Sequence, residues 1–128
     1  MTVRVVRLGT PRVRGEGLRI GTVRHPPRGV PKSQHATQDW YDVWLPELAP
    51  SAATVKRAQA AETDRDWAAF ARRYRREMSA PEKSRLLDLL AALSQRSAFS
   101  VGCYCADASR CHRSVLRVLL RERGARVG

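Results

Sequence analysis

The sequence predicts an α/β fold in which helices pack on a small, mostly parallel sheet of three or four strands. Short apolar runs near both ends of the chain predict strands, and longer runs with helical spacing predict helices. The resulting order is two strands, three helices, a strand and a helix, with no internal repeat. Such an order is typical of helices packed on a sheet. We expect residues 1–128 to form a single domain.

The first strand is predicted over Val3–Leu8, where apolar residues largely alternate with arginine, and the second over Leu18–Val23. Segment Arg24–Val30 ends the second strand, because its two consecutive prolines cannot continue a hydrogen-bonded ladder. Arg24 and Arg28 therefore follow the carboxyl end of a strand, where open α/β sheets usually bind ligands. Both are candidate ligand-binding residues.

The most aromatic segment is Asp39–Pro46, which contains Trp40, Tyr41 and Trp44. We expect these rings to bury apolar area in or around the core, and the acids between them to pair with basic strand ends. The alternative is a surface on which a base stacks beside the arginines. Tyr41 and Asp42 are kept as candidate ligand-binding residues on that alternative.

Three helices are predicted before the last strand. Ser51 is a typical N-cap for a short helix over Ala52–Ala61, and Asp66 is expected to cap the next helix. A third helix is predicted over Pro81–Arg96, since proline is favoured in a first turn. The apolar stripe of the second helix is Trp67, Phe70, Ala71, Tyr74 and Met78, and its solvated faces carry Arg72, Arg73, Arg75 and Arg76.

All three cysteines lie in one stretch, in which a predicted strand over Phe99–Tyr104 leads through a loop into a final helix. Ser109 is the expected N-cap of that helix and Gly124 its expected stop. Its beginning carries a group of cations, Arg110, His112 and Arg113. Positive charge is unfavourable at a helix N-terminus, so these residues predict a bound anion there.

The formal net charge is +12, from 24 Lys and Arg against 12 Asp and Glu. Such a balance favours phosphate-bearing partners, although arginine outnumbers lysine 21 to 3, as biased codon usage would also produce.

No apolar run is long enough to cross a bilayer, and the N-terminus does not resemble a signal peptide. Three clustered cysteines are unlike a secreted disulfide framework. We therefore expect a cytoplasmic protein that does not act on membranes.

Four motifs in this order resemble the YeaO-like family, a domain of unknown function numbered 488. They are Pro27-Arg28-Gly29-Val30, Trp44-Leu45-Pro46-Glu47-Leu48-Ala49-Pro50-Ser51, Trp67-x-x-Phe70-x-x-x-Tyr74 and Cys103-Tyr104-x-x-Asp107-x-x-x-Cys111-His112-Arg113. The resemblance covers nearly all of the chain from Leu18 onward. It implies a single-domain α/β fold and carries no particular reaction. Relatives often have Glu where this chain has Cys105.

Two kinds of cysteine chemistry are open. Cys103 and Cys105 are expected on one face of their strand, and with Cys111 and His112 they offer four zinc ligands. The spacing is unlike a zinc knuckle and relatives often lack the second cysteine, so we expect neither metal nor other cofactor. Alternatively, Cys111 or Cys103 is a nucleophile with His112 as its base, which makes Cys111 and His112 the candidate catalytic residues.

The function favoured by the sequence is an anion-binding cleft at the start of the last helix, for the phosphate of a nucleotide or nucleic acid. Its structural alternative pairs Arg113 with Asp42 or Asp107 and leaves the cysteines as small buried apolar residues. An arginine-rich surface that binds nucleic acid ranks third, because the chain contains no recognised nucleic-acid-reading motif. The remaining candidate ligand-binding residues are Cys103, Arg110, His112 and Arg113.

Overall fold

A four-stranded, all-parallel sheet forms the centre of the structure, a computed structural model that describes residues 1–107 and 110–128. The strands are Val3–Arg7 (β1), Leu18–Gly21 (β2), Val43–Trp44 (β3) and Phe99–Cys103 (β4), in the order β1-β4-β2-β3. This confirms the predicted α/β class. The short edge strand β3 lies in the aromatic segment, where no strand was expected.

Four helices pack on this sheet: Ala52–Ala60 (α1), Asp64–Met78 (α2), Pro81–Ser94 (α3) and His112–Glu122 (α4). Ser51 caps α1 as predicted, since its hydroxyl accepts from the Thr54 N–H at 3.3 Å. The prediction that Asp66 caps α2 is wrong. Thr63 is the N-cap, and Asp66 lies three residues later as its capping-box partner, where both satisfy backbone donors.

Two groups of buried side chains make the core. The larger joins the strands to the helices through residues such as Val101 in β4, Tyr74 in α2 and Leu116 in α4, each fully buried. The smaller lies at the carboxyl end of the sheet and consists of Leu8, Val23, Tyr41, Cys103 and Cys111. Two of the three cysteines are therefore part of the packing there, as the structural alternative requires.

A buried ion pair supports the start of β2. The Arg19 side chain is 1% exposed, and its Nε donates to the Glu16 carboxylate at 2.7 Å. The same carboxylate accepts from the Ser100 hydroxyl of β4 at 2.7 Å. Burial disfavours the charged carboxylate, but these hydrogen bonds outweigh it and lower the pKa of Glu16 to about 2. The pair therefore ties the turn before β2 to the neighbouring strand.

The chain leaves the two central strands in opposite directions. After β2 it turns to β3 at one edge of the sheet. After β4 it passes through α4 to the opposite edge, where Val127 pairs in parallel with Val3 of β1. The carboxyl ends of β2 and β4 consequently flank a topological switch point, the usual position of a ligand crevice in such sheets.

Within residues 1–107 and 110–128, no helix has both the length and the apolar character needed to cross a membrane.

Candidate functional site

A cleft of about 830 Å³ opens at the switch point, between the carboxyl ends of β2 and β4. One wall is the loop that follows β2, residues 23–28. Another is formed by the residues around the end of β4 and the beginning of α4, and the third by parts of α1 and α2. The cleft thus lies where the topology predicts a ligand site.

Three arginines from two separate loops line this cleft. Arg24 and Arg28 come from the loop after β2, and Arg110 lies two residues before α4. All three side chains are exposed. Arg110 forms an ion pair at 3.0 Å with Asp64, whose side chain is fully exposed, so this pair is open to exchange with a ligand. The loop after β2 and the residues before α4 therefore line the same cleft.

His112 forms the floor of the cleft and is 7% exposed. Its Nε2 lies 2.8 Å from the carbonyl oxygen of Thr22, an atom that only accepts hydrogen bonds. Nε2 must therefore carry the proton, which leaves the lone pair on Nδ1. Burial lowers the pKa of His112 to about 4, partly offset by the hydrogen bond to Thr22. The ring is therefore neutral at physiological pH, and the lone pair of its Nδ1 is the free acceptor of the imidazole.

Cys111 is the N-cap of α4 and lies directly against this lone pair. Its Sγ is 3.7 Å from Nδ1 of His112, and the residue is 2% exposed. The first turn of α4 carries no acidic residue. The predicted cap Ser109 lies outside the described residues. A thiolate or a bound anion at this position would be stabilised by the N-terminal end of the helix dipole.

Cys103 lies against Cys111 on the cleft floor, and their Sγ atoms are within bonding distance, so the structure pairs them as a disulfide and leaves Cys105 as a free thiol. The two Cα atoms are 8.0 Å apart. The expectation that Cys103 and Cys105 share one face is wrong. β4 ends at Cys103, and Cys105 belongs to the loop beyond it, where its side chain is exposed. The period-two alternation of a strand no longer applies there.

Aromatic and apolar side chains complete the walls. Tyr104 and Trp40 meet edge to face, with ring centroids 5.9 Å apart, and Phe70 of α2 lies on another side of the cleft. The Tyr104 hydroxyl donates to the carbonyl oxygen of His25 at 2.8 Å, which fixes the loop that carries the arginines. The cleft therefore has a cationic part and an apolar part.

One family model matches the chain: DUF488-N3a, described as the active DUF488-N3 subclade, over residues 3–124. The chain belongs to the DUF488 family. YeaO-like is a name used within that family, so the resemblance seen in the motifs is confirmed. No curated protein and no solved structure gave a significant match.

Arg113 of this DUF488 chain does not take the position expected from the sequence. It is 4% exposed and lies beside the cleft, where Nη2 donates to the carbonyl oxygen of Cys105 at 2.6 Å. Burial lowers its pKa, as do Arg7 and Arg117 nearby, whereas Cys105 and Asp107 oppose the shift. Arg113 therefore holds the loop after β4 in place, and its Nε is buried without a hydrogen-bond partner among the described atoms.

Tyr41 and Asp42 border a second cavity of about 320 Å³ that shares Pro26 with the cleft. Asp42 accepts from the Arg12 guanidinium at 2.8 and 3.1 Å and from the backbone N–H of Arg19 at 2.7 Å. The proposed Asp42–Arg113 pair is thus replaced by an Asp42–Arg12 pair. The Tyr41 ring is 3% exposed, as expected for a core aromatic.

Two residues that matter for the geometry were not singled out from the sequence. Thr22 supplies the carbonyl oxygen that fixes His112, and a backbone acceptor leaves no signal in the side-chain pattern. The sequence predicts Tyr104 as the end of a strand, although its position inside the fourth family motif is a usable signal.

Proposed function

We propose that the cleft of this DUF488 domain binds the phosphate group of a nucleotide-sized ligand. The observation that supports this most directly is that Arg24, Arg28 and Arg110, from two loops, line the same cleft as Cys111 and His112 at the N-terminus of α4. Guanidinium groups form charge-assisted, often bidentate hydrogen bonds with phosphate. The backbone N–H groups of a helix N-terminus and the helix dipole favour an anion at the same place.

The apolar part of the cleft fits the rest of such a ligand. The volume of about 830 Å³ is within the usual range for small-molecule sites. Trp40, Tyr104 and Phe70 provide aromatic surface in the same cleft as the arginines. A phosphate held by arginine beside an aromatic wall is a common arrangement for recognising a nucleotide, because every base presents a flat face.

Calorimetric titration of the wild type and of single arginine variants tests the proposal, with adenosine 5′-monophosphate and inorganic phosphate as probes. Arg28→Ala should weaken binding of the monophosphate by about tenfold or more, since a hydrogen bond to a charged group contributes roughly 1.5–3 kcal/mol. Arg76→Ala is the matched control. Arg76 is exposed on α2 and is not among the residues that line the cleft, so the variant makes the same change in net charge.

The control should keep the wild-type affinity within about twofold, because distant exposed charges are largely screened. Equal weak affinity in the wild type, Arg28→Ala and Arg76→Ala would exclude a built phosphate site. Tighter binding of the monophosphate than of inorganic phosphate would support the role of the aromatic wall.

A second candidate function is cysteine-dependent catalysis, with Cys111 as nucleophile and His112 as base. It is favoured by the 3.7 Å contact between Sγ and Nδ1 and by the description of the family as an active subclade. The test is the rate of alkylation of the reduced protein by iodoacetamide at neutral pH, read by mass spectrometry for each cysteine. Cys111 should react faster than Cys105, and His112→Gln should slow it. A rate equal to that of a small free thiol would rule this function out.

We also infer that the protein acts in the cytoplasm and as a single domain. The clustered, odd-numbered cysteines and the match to one family over residues 3–124 support this. An arginine-rich nucleic-acid-binding surface is the third candidate, supported by the net charge of +12.

A further inference from the structure

The floor of the cleft brings together three buried side chains with metal-binding atoms. Cys103, Cys111 and His112 are 1%, 2% and 7% exposed, and their ligand atoms all lie within 4.8 Å of one another. All three line the cleft. The grouping unites the end of β4 with the start of α4, which the sequence separates by eight residues.

The backbone spacing suits a bridging ion better than a direct sulfur–sulfur bond. Disulfides usually join Cα atoms about 4.4–6.8 Å apart, and pairs beyond about 7 Å need the backbone to move. The Cα atoms of Cys103 and Cys111 are 8.0 Å apart. Two zinc–sulfur bonds of about 2.3 Å at a tetrahedral angle separate the sulfurs by about 3.8 Å. This separation is about 1.7 Å longer than the S–S bond of a disulfide, so a bridging ion allows the two Cα atoms to lie farther apart.

The histidine is prepared for coordination. Its Nε2–H donates to the carbonyl oxygen of Thr22, so the lone pair on Nδ1 faces Cys111. Metal-bound histidines almost always donate their other N–H in this way, which fixes the tautomer and the ring orientation.

We propose that Cys103, Cys111 and His112 bind a zinc-class divalent ion, with the fourth coordination position open to the cleft. The ligand set has two thiolates and one imidazole, a combination that suits zinc and occurs in zinc sites with an open position. It differs from the four-ligand pattern considered for the sequence, because Cys105 is exposed and outside the cluster.

This site is independent of the phosphate proposal, which depends on the arginines. It excludes the second candidate function for the metal-bound protein, because a coordinated Cys111 thiolate is no longer a free nucleophile. The ion would also place a positive charge at the cationic end of the cleft.

Metal analysis of the full chain tests the proposal. The protein is purified under reducing conditions without chelator, equilibrated with zinc, freed of excess ion and assayed by mass spectrometry for metal. About one zinc per chain should remain in the wild type and in Cys105→Ser, the matched control. Cys103→Ser should lose binding by at least about the 10–100-fold that removal of a supporting hydrogen bond costs a metal site. Substitution with cobalt(II) should give thiolate-to-metal charge-transfer absorption that Cys103→Ser lacks.

A second readout uses only the wild type and remains informative if Cys103→Ser does not fold. Zinc should protect Cys103 and Cys111 from alkylation while Cys105 is labelled at an unchanged rate. The proposal is overturned by equal labelling of all three thiols with and without zinc, by zinc retention that does not depend on Cys103, or by a Cys103–Cys111 disulfide in protein equilibrated with zinc under reducing conditions.

Discussion

The imidazole of His112 donates its Nε2–H to the carbonyl oxygen of Thr22, at 2.8 Å, across the carboxyl end of the sheet. Thr22 follows β2 and His112 begins α4, so this one hydrogen bond joins the two segments that carry the arginines of the cleft. The ring also meets Tyr74 of α2 edge to face, with centroids 5.5 Å apart. A buried histidine thus holds the cleft together besides presenting Nδ1 to Cys111.

His112→Ala should lower the free energy of unfolding by about 1–3 kcal/mol, because it leaves the buried Thr22 carbonyl oxygen without its donor. His112→Gln is the conservative control, since its amide N–H₂ reaches nearly the same point and restores the hydrogen bond. Urea denaturation of both variants measures the difference. Equal losses in the two variants would show that ring packing, and not the hydrogen bond, supplies the stability.

Glu77 fixes the helix that forms one wall of the cleft. Its carboxylate accepts from the Ser51 hydroxyl at 2.6 Å, the Ser51 N–H at 2.9 Å and the Thr54 hydroxyl at 2.7 Å. These hydrogen bonds overcome burial and lower its pKa. Glu77→Ala should cost about 1–3 kcal/mol of stability, because it removes these partners at the N-terminus of α1. Glu62→Ala, which removes an exposed carboxylate, should cost less than about 0.5 kcal/mol by thermal denaturation.

The Glu16–Arg19 pair predicts a specific response to acid. Because the pKa of Glu16 is lowered to about 2 from an ordinary 4.5, the unfolded chain takes up its proton first as the pH falls. The contribution of ionised Glu16 to the free energy of unfolding is complete above pH 4.5 and is lost as the pH falls towards 2. The change in that free energy is on the order of 3 kcal/mol.

Glu16→Gln should be less stable than the wild type at neutral pH, because Arg19 is left as a buried unpaired charge. The difference in free energy of unfolding between the two proteins should become smaller as the pH falls from 4.5 to 2. A constant difference, measured by urea denaturation across that range, would show that Glu16 does not titrate as the hydrogen bonds require.

Salt dependence separates the cleft from a general arginine surface. For a single-stranded oligonucleotide, the log–log plot of affinity against salt has a slope of about −0.7 for each phosphate contact. Arg28→Ala should make the slope shallower by about that amount, whereas Arg76→Ala should leave it unchanged. If both variants reduce the slope equally, the nucleic acid contacts the arginine-rich surface and not the cleft in particular.

The sequence predicted the helices and strands in which apolar residues recur at a regular spacing. The bounds of α1, α3 and β4 were within a residue or two, because each combines an apolar pattern with a clear cap, proline or turn. It missed β3, Val43–Trp44, since two residues cannot show a period and each is 41% exposed. Pairing with β2, a tertiary interaction, makes that segment a strand.

For the site, the sequence predicted the arginines but not the side-chain directions. Arg24, Arg28 and Arg110 reach the cleft because parallel strands end at the same edge of a sheet. Arg113 turned inward to a backbone carbonyl, and Cys105 turned outward once the strand had ended. These outcomes depend on where β4 stops within a residue, which a sequence pattern does not determine.

The location of a bound anion tests the central claim most directly. Crystals of the protein soaked in tungstate, a heavy mimic of phosphate, give an anomalous signal that marks the ion without reference to the protein coordinates. The account predicts a peak in the cleft, within hydrogen-bond distance of at least two of Arg24, Arg28 and Arg110 and in front of the first turn of α4. Tungstate bound only elsewhere on the arginine-rich surface, with none in the cleft, would contradict it.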